Sequence, residues 1–333
     1  MSKAMGKNRT DAKKTKKRGK KIMTVLLAVI GVIISINLIS FFVNQVFFSK
    51  ELDGIEPYGQ LVDIDGRKMH IRSMGSGETT IVILPGMGMP VPSADFGPLM
   101  RALSENYTVV VVEYFGYGFS DQTDAPRTNA NITEEIRLAL SLAGFPPPYV
   151  LMPHSVSGIY SEYFATKYPN EVAAIIMLDT TSSAEPVLEN IPDFVYTITK
   201  AQQAIGLERL WSPLIVTKVL GIDGRYGHNS DEIAYFKLFY NHRNNDTTID
   251  QLRRNAENIA EVMEMGFPSN IPVLKIIASE QNPGVSGDYH KNHMARLGEN
   301  AKLITLEGTH FIYHMAVEEI VEATISFLES GAR

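Results

Sequence analysis

The sequence has no cysteine, one tryptophan and no repeat at a fixed period. The lack of cysteine excludes a disulfide framework. It fits either a reducing compartment or a bacterial surface protein that does without disulfides, and it does not choose between the two. Without a repeating period the chain also lacks the signature of solenoid and propeller proteins. At 333 residues it is long enough for one full domain with appendages.

Basic residues are scarce outside the N-terminus. Residues 1–21 hold ten of the 31 Lys and Arg residues and one of the 37 acidic residues. The remainder therefore has 21 basic and 36 acidic residues, a formal charge of −15. Because binding to phosphates requires positive surface, such a body is not expected to have nucleic acid as a partner.

Two patterns that would indicate a metal or a nucleotide are incomplete. His310 and His314 are four residues apart, but the glutamate of an H-E-x-x-H motif and further ligands are missing. Residues 116–118 read GYG, without the third glycine and the later acidic residue of a dinucleotide site. These two segments therefore predict neither a metal site nor a dinucleotide site.

One long hydrophobic run is present, and residues 22–48 contain no charged side chain. About 20 such residues at 1.5 Å each cross a bilayer core of roughly 30 Å. The sequence that follows, VNQVFFSK at residues 43–50, lacks an A-x-A cleavage pattern, so an uncleaved signal anchor is favoured over a cleaved signal peptide. The basic tail, residues 1–21, is expected in the cytoplasm, which places the body outside a cell membrane to which residues 22–48 tether it.

The body shows strands that alternate with helices. Residues 60–64 and 67–72, joined by Asp65-Gly66, predict a hairpin. Further strands are expected at residues 80–84, 108–112, 149–152 and 172–178, and helices at residues 96–104, 133–143 and 159–168. Strands that are apolar on both faces indicate an α/β fold, with a mostly parallel sheet covered by helices on both sides.

The alternation stops over residues 181–270, where helical patterns at 192–205, 231–239 and 248–265 predict an inserted helical cap. The core would thus comprise residues 54–180 and 271–333, with strands at 271–278 and 301–306 and a helix at 316–328. Several apolar cap residues would either line an acyl pocket or pack between cap helices: Leu207, Leu210, Trp211, Leu214, Ile215 and Val219.

The most informative motif is PHSVSG at residues 153–158, between a buried strand and a helix. A tight strand-to-helix turn pushes the Ser155 hydroxyl clear of the sheet, and the first amides of the helix, that of Val156 among them, lie where an oxyanion would form. The usual form is G-x-S-x-G, so Pro153 is a departure that an extended backbone would tolerate. Taken alone, the motif is as consistent with an ordinary serine cap of a helix.

Two further segments favour the chemical interpretation. The turn LPGMGM at residues 84–89 follows a buried strand and would supply a second oxyanion donor, the Met87 amide. His310 lies in EGTHF, residues 307–311, after the last strand. From there it can reach Ser155 and take the proton of its hydroxyl.

With these motifs the chain resembles the α/β-hydrolase family from about Gly54 to Leu328. Residues 84–89 are similar to the family's H-G-x-P segment, with Pro85 in place of histidine. Residues 113–121, EYFGYGFSD, resemble its D-x-x-G-x-G-x-S-D stretch, and residues 308–310 its catalytic G-x-x-H or G-H loop. The elbow and the anchor together look like a membrane-anchored bacterial subgroup. The resemblance implies hydrolysis of an ester, amide or thioester through an acyl-enzyme, without a cofactor.

The acid that would orient His310 is ambiguous in the sequence. The family usually places it after the penultimate strand, where Glu280 is present and Asn282 stands where aspartate is common. Asp179, at the end of the preceding strand, is the other possibility, as in some lipases of this fold. Glu280 is slightly favoured, and since one carboxylate is sufficient, both cannot be required.

Three functions remain open at this stage. The leading one is a serine hydrolase, similar to carboxylesterases and lipases, that acts on a small-molecule acyl substrate. An amide hydrolase of the prolyl-aminopeptidase kind is the second. The third is a binding ectodomain that keeps the fold without catalysis. An aspartate nucleophile, as in haloalkane dehalogenases and epoxide hydrolases, is incompatible with a serine at the elbow.

Overall fold

The computed structural model describes residues 2–186, 191–280 and 288–331. The chain forms two compact units, one made of residues 1–53 with 201–208 and the other of residues 54–200 with 209–333. The structure of each unit follows from its own pattern of apolar residues.

The first unit is built on one long helix, α1 (Ser2–Val43), continued by a π-helical turn at Asn44–Phe48. The part from Lys20 to Phe48 is long and apolar enough to cross a membrane, and the most apolar residues of this part are not buried against the rest of the protein. A helix that is apolar on all sides and unburied is typical of a membrane span rather than of a soluble core.

The end of this helix contacts the segment Ala201–Glu208 of the same unit. The Ser40 hydroxyl donates to the carbonyl of Ile205 at 2.8 Å, and the Asn44 amide donates to the carbonyl of Ala204 at 3.0 Å. At Gly206 an added Cβ would come within 2.7 Å of the Asn44 side chain, so the close approach requires glycine here.

The second unit contains one eight-stranded sheet in the order β1-β2-β4-β3-β5-β6-β7-β8. The strands are β1 (Gln60–Ile64), β2 (Arg67–Met74), β3 (Thr80–Leu84), β4 (Thr108–Val112), β5 (Tyr149–Pro153), β6 (Val172–Leu178), β7 (Val273–Ala278) and β8 (Ala301–Leu306). Pairing is antiparallel from β1 to β2 and from β2 to β4, and parallel elsewhere. The predicted hairpin and mostly parallel sheet are confirmed.

Helices connect and cover these strands. They are α2 (Pro92–Asp95), α3 (Gly97–Leu103), α4 (Asn129–Leu142), α5 (Ser157–Lys167), α6 (Asp193–Ile205), α7 (Ser212–Leu214), α8 (Ser230–Tyr240), α9 (Asp246–Glu264), α10 (Tyr289–Leu297), α11 (Ile312–Met315) and α12 (Val317–Glu329). Between β6 and β7 the described residues form helices and turns without a strand. Asn229 and Asn245 begin α8 and α9 with capping boxes, which satisfy the first amides of each helix.

The core lies around the central strands. Every residue of β3, β5 and β7 is buried, and all but one of β6. Ile81, Val82 and Ile83 have no solvent-exposed surface, and full burial of such a side chain stabilises the fold by about 1.5–3 kcal/mol. The carboxyl ends of β3, β5, β6, β7 and β8 share one edge because these strands are parallel, and the loops that follow them meet there.

Candidate active site

Ser155 stands on the turn between β5 and α5. Its φ is +54°, a left-handed conformation that a non-glycine residue adopts only where the surroundings impose it. Its amide donates to the carbonyl of Leu178 at 3.3 Å, and its own carbonyl accepts from the amide of Thr181 at 3.0 Å. These two bonds hold the serine turn beside the end of β6.

The residues around Ser155 meet the space requirement of the turn. An ideal Cβ at Gly158 would lie 2.6 Å from Cβ of Thr180, so a side chain at position 158 would force the helix away from β6. Pro153 pairs in parallel register with Leu84 as the last residue of β5. Its backbone is therefore extended, the condition under which the sequence predicted that proline would be tolerated.

His310 lies between Ser155 and a carboxylate. Its Nε2 is 3.0 Å from Oγ of Ser155, and its Nδ1 is 2.6 Å from Oδ2 of Asp179. The side chain of Asp179 is 11% exposed and that of His310 is 29% exposed. The serine and histidine expected from the sequence are thus brought into hydrogen-bond distance although they are 155 residues apart.

The carboxylate beside His310 is Asp179, so the preference for Glu280 in this place is corrected. Asp179 follows β6 with a φ of +42°, and its Oδ1 accepts from the amide of Ala278 at 3.0 Å. Glu280 is exposed, and its amide donates to the carbonyl of Gly308 at 3.0 Å. Asn282, the other residue considered, is outside the described residues.

The protonation state of Asp179 follows from its contacts. Burial raises the pKa of this carboxyl, but the hydrogen bonds from His310 and from the Ala278 amide outweigh that effect. The pKa of Asp179 is therefore below its usual value, and the group is a carboxylate at neutral pH.

The turn after β3 lies directly against the serine. A Cβ added to Gly86 would come within 3.1 Å of Cβ of Ser155 and 2.7 Å of Nδ1 of His154, so only glycine permits this approach. Met87 follows Gly86, and Val156 caps the N-terminus of α5. Both residues expected to supply oxyanion donors are neighbours of the serine in the chain or in space, and their role stays a prediction.

The segment at residues 113–121 forms a hydrogen bond with the turn after β3. The amide of Gly88 donates to the Tyr117 hydroxyl at 3.0 Å, which donates to Oε1 of Gln251 at 2.7 Å. The buried carboxylate of Glu113 accepts from the amide of Phe119 at 2.7 Å. The bond from Gly88 to Tyr117 joins the loop after β3 to the loop after β4, and the bond from Phe119 to Glu113 holds the latter loop in shape.

A family model for the alpha/beta hydrolase fold matches residues 79–316. The chain belongs to the α/β-hydrolase fold family. The match spans β3 to α11 and includes Ser155, Asp179 and His310, so the family and the fold expected from the motifs are confirmed. Membership supports a hydrolase with a small-molecule substrate.

The hydrolase is similar to several known proteins. It is 28% identical over 316 residues to the uncharacterized protein YbdG of Bacillus subtilis, which covers 92% of this chain and 96% of YbdG. It is 30% identical over 125 residues to 2-(acetamidomethylene)succinate hydrolase of Mesorhizobium japonicum, which covers 37% of this chain and 43% of that enzyme. The likeness to YbdG covers most of both chains, whereas the likeness to the Mesorhizobium enzyme covers less than half of each.

Solved structures share the fold at lower identity. Cfl2 from Burkholderia cenocepacia matches with a TM-score of 0.65 at 17% identity, over 80% of this chain and 94% of Cfl2. A mutant of an epoxide hydrolase from Vigna radiata matches with a TM-score of 0.61 at 19% identity, over 81% of this chain and 98% of that one. Both similarities show that the fold is shared, and neither indicates which reaction this protein catalyses.

The hydrolase has an apolar cavity next to the turn after β3. Its volume is about 190 Å³, and its walls include Met89, Leu220, Phe236 and Phe311. None of the six cap residues expected to line an acyl pocket belongs to this cavity. Four of the six are exposed instead, namely Leu210, Trp211, Leu214 and Val219.

Sequence reasoning missed a buried cluster of polar side chains beside the cavity. Asp95, His228 and His314 offer ligand atoms within 4.8 Å of one another. His314 Nε2 is 2.9 Å from Oδ1 of Asp95, and the Tyr313 hydroxyl donates to the other oxygen. Burial raises the pKa of Asp95, but these partners and His228 bring it below its usual value. A cation would have to displace these bonds, so the cluster fits a structural anchor for the His310 loop.

His154, beside Ser155 in the chain, is buried and neutral in the folded hydrolase. Its Nε2 donates to the carbonyl of His310 at 2.9 Å. Burial and the nearby His310 lower the pKa of His154 from 6.5 to about 3. The unfolded chain therefore binds a proton between these values that the folded chain does not, and stability is lost as the pH falls below about 6.5.

We expect the variant His154→Gln to show a weaker dependence of stability on pH. In the parent this one group removes about 1 kcal/mol of unfolding free energy for each unit of pH between about 6 and 4. Glutamine keeps a donor toward the His310 carbonyl but does not titrate. Urea unfolding of both proteins in detergent over this range measures the two slopes. If the unfolding free energies of the two proteins change with pH at the same slope, a neutral buried His154 is contradicted, whatever the difference between their absolute values.

Proposed function

We propose that this protein is a serine hydrolase that cleaves a carboxylic ester through an acyl-enzyme on Ser155. The observation that carries the proposal is the position of His310, with Nε2 3.0 Å from Ser155 Oγ and Nδ1 2.6 Å from Asp179. A serine hydroxyl, an imidazole and a carboxylate in this order form the arrangement that activates serine as a nucleophile.

The reaction follows from these contacts. His310 takes the Ser155 proton as Oγ attacks the carbonyl carbon of the ester. It then gives that proton to the departing alcohol, and the acyl group remains on Ser155. A water molecule, deprotonated by His310, attacks the acyl-enzyme, which releases the carboxylic acid and returns the proton to Ser155. Asp179 orients the imidazole and stabilises the imidazolium.

Two backbone amides are assigned to the oxyanion. The Val156 amide is at the N-terminus of α5, where unpaired amides and the helix dipole favour negative charge. The Met87 amide follows Gly86, which is packed against Ser155. Hydrogen bonds from these amides would strengthen as the carbonyl oxygen becomes negative, and so lower the barrier to attack.

The arrangement favours acyl transfer over the other functions considered. Ser155 occupies the elbow, so a carboxylate nucleophile is not available at that place, although epoxide hydrolases share the fold. A binding ectodomain has no need for a strained serine aligned with His310 and Asp179. The proline iminopeptidase PfmaB of Pestalotiopsis fici is 27% identical over 127 residues, 37% of this chain, but no contact described above favours a substrate amine.

The test of the proposed function is labelling of the full chain in detergent with a fluorophosphonate, which reacts with activated serines. We expect one adduct per chain, located on Ser155 by mass spectrometry of the peptides. A folded protein without an adduct would overturn the mechanism.

We further propose that α1 anchors the hydrolase in a cell membrane, with the basic residues 1–21 in the cytoplasm and the body outside. Protease added to intact cells should then degrade the body while an N-terminal epitope tag stays protected until the cells are permeabilised. Loss of the tag before permeabilisation, with the body intact, would show the opposite orientation.

A further inference from the structure

Large apolar side chains are exposed shortly before and shortly after the segment Ala201–Glu208 in the sequence. We call them the cap apolar group, and its members are Phe194, Ile198, Leu210, Trp211, Leu214 and Val219. Leu210 is 78% exposed and Val219 is 72% exposed. Exposed apolar residues concentrated within one short stretch mark a surface that meets an apolar partner.

Two of these residues share a helix face. Phe194 and Ile198 are four apart on α6, and residues four apart in a helix lie on one face. Leu210 ends a 3-10 turn at Leu207–Leu210, and Leu214 is the last residue of α7. Both leucines are exposed, so these short turns also present apolar surface to their surroundings.

The anchor helix fixes where this stretch begins. Twenty residues counted from Ile22 reach Phe41, so Ser40 and Asn44 lie where α1 leaves the far side of the hydrocarbon layer. There they hold the carbonyls of residues 204 and 205. Since consecutive Cα atoms are about 3.8 Å apart, the five residues from Ile205 to Leu210 keep Leu210 within about 19 Å of the Ile205 Cα.

The same stretch leads to the candidate active site. Leu220 directly follows the cap apolar group and forms a wall of the cavity, whose other walls include Met87 and Gly88 of the turn packed on Ser155 and Phe311 next to His310. An acyl chain that left a bilayer along residues 210–219 would therefore enter a cavity beside the turn that packs on Ser155.

We propose that the cap apolar group lies in the outer leaflet of the membrane and that the hydrolase takes its ester substrate, an acyl lipid, from that leaflet. The substrate class rests on the proposed serine mechanism, and the membrane contact rests only on the proposed anchor. A lipid surface is the partner that fits, because the stretch is apolar, begins at the membrane interface and contains a tryptophan, a residue enriched at such interfaces.

The only tryptophan of the chain, Trp211, reports the membrane contact directly. The full chain is reconstituted in vesicles of phosphatidylcholine with or without a doxyl group on the acyl chain. We expect doxyl lipid to quench at least about half of the Trp211 fluorescence and aqueous iodide to quench little, because depth of burial in lipid sets both. Quenching by iodide without quenching by doxyl lipid would overturn the proposal.

Activity tests the substrate class with a matched pair of variants. One carries Leu210→Ser, Leu214→Ser and Val219→Ser, and the other carries Leu138→Ser and Leu142→Ser, at exposed leucines of α4. We expect the first variant to hydrolyse a diacylglycerol ester in vesicles about tenfold or more slowly and a water-soluble butyrate ester at the parent rate. The second variant should match the parent on both esters.

The outcomes separate this proposal from the proposed function. If no ester is hydrolysed and no fluorophosphonate adduct forms, the serine mechanism fails, while quenching of Trp211 still decides the membrane contact. If both esters are hydrolysed and the first variant loses neither, or loses both equally, delivery of substrate from the leaflet is overturned.

Discussion

Replacing Ser155 by alanine is expected to lower kcat for any ester substrate by about 10⁵- to 10⁶-fold and to abolish fluorophosphonate labelling. Oγ of Ser155 is the atom that forms the bond to the acyl carbon, and it is the atom 3.0 Å from Nε2 of His310. Without it, only binding and the oxyanion donors remain. Turnover of a butyrate ester and mass spectrometry of the probe adduct measure both effects.

A neighbouring serine supplies the control for this substitution. Ser161 is fully buried on α5, and its hydroxyl has no hydrogen-bond partner among the described residues. Ser161→Ala should therefore fold and keep both the label and the turnover. If Ser155→Ala keeps the label, or if both variants lose it while folded, the assignment of the nucleophile is wrong.

The second large effect is expected at the acid. Asp179→Asn should lower kcat by about 10³- to 10⁴-fold with the fold intact. The amide that replaces the carboxylate carries no negative charge and can donate a hydrogen bond to Nδ1. It therefore favours the wrong tautomer of His310 and leaves the imidazolium without a negative partner. Steady-state kinetics and circular dichroism of the variant separate loss of catalysis from loss of fold.

Glu280→Gln is the matched control, because it makes the same chemical change at the carboxylate that sequence alone slightly favoured. Glu280 is exposed, and we expect its variant to stay within about twofold of the parent, as surface substitutions ordinarily do. The reverse result, a loss at Glu280 and none at Asp179, would show that the working site has a different acid from the one in contact with His310 here.

These two experiments also decide among the functions considered from the sequence. A binding ectodomain would bind its partner equally well with or without the Ser155 hydroxyl and would form no probe adduct. An amide hydrolase would form the adduct and require Asp179, but it would need a substrate amine for efficient turnover. A comparison of ester and aminoacyl amide substrates with the parent protein distinguishes that last possibility.

Most of the fold could be predicted from periodicity and turn chemistry. β3 and β4 begin and end where the apolar runs do, because strands covered on both faces are nearly uninterrupted runs of Val, Ile and Leu. Helix ends were less well predicted. α4 begins at Asn129, several residues before the expected start, since Thr128 rather than a later residue caps it.

Position in the chain also indicated two members of the candidate site. Ser155 follows one buried strand and His310 follows the last, and the carboxyl ends of parallel strands share an edge. Local pattern gave no such guidance for Asp95, His228 and His314, which come from three distant loops and helices. Their association depends on how the elements pack, which short-range spacing does not encode.

The sequence by itself determined the family and the apolar helix and indicated the candidate serine and histidine, because each depends on a short run of neighbouring residues. Only the tertiary structure decided which acid meets His310. Asp179 and Glu280 follow the adjacent strands β6 and β7, and nothing local distinguishes them. The left-handed backbone at Asp179 and its hydrogen bond from Ala278 hold one carboxylate against the imidazole, and these contacts exist only once the sheet has formed.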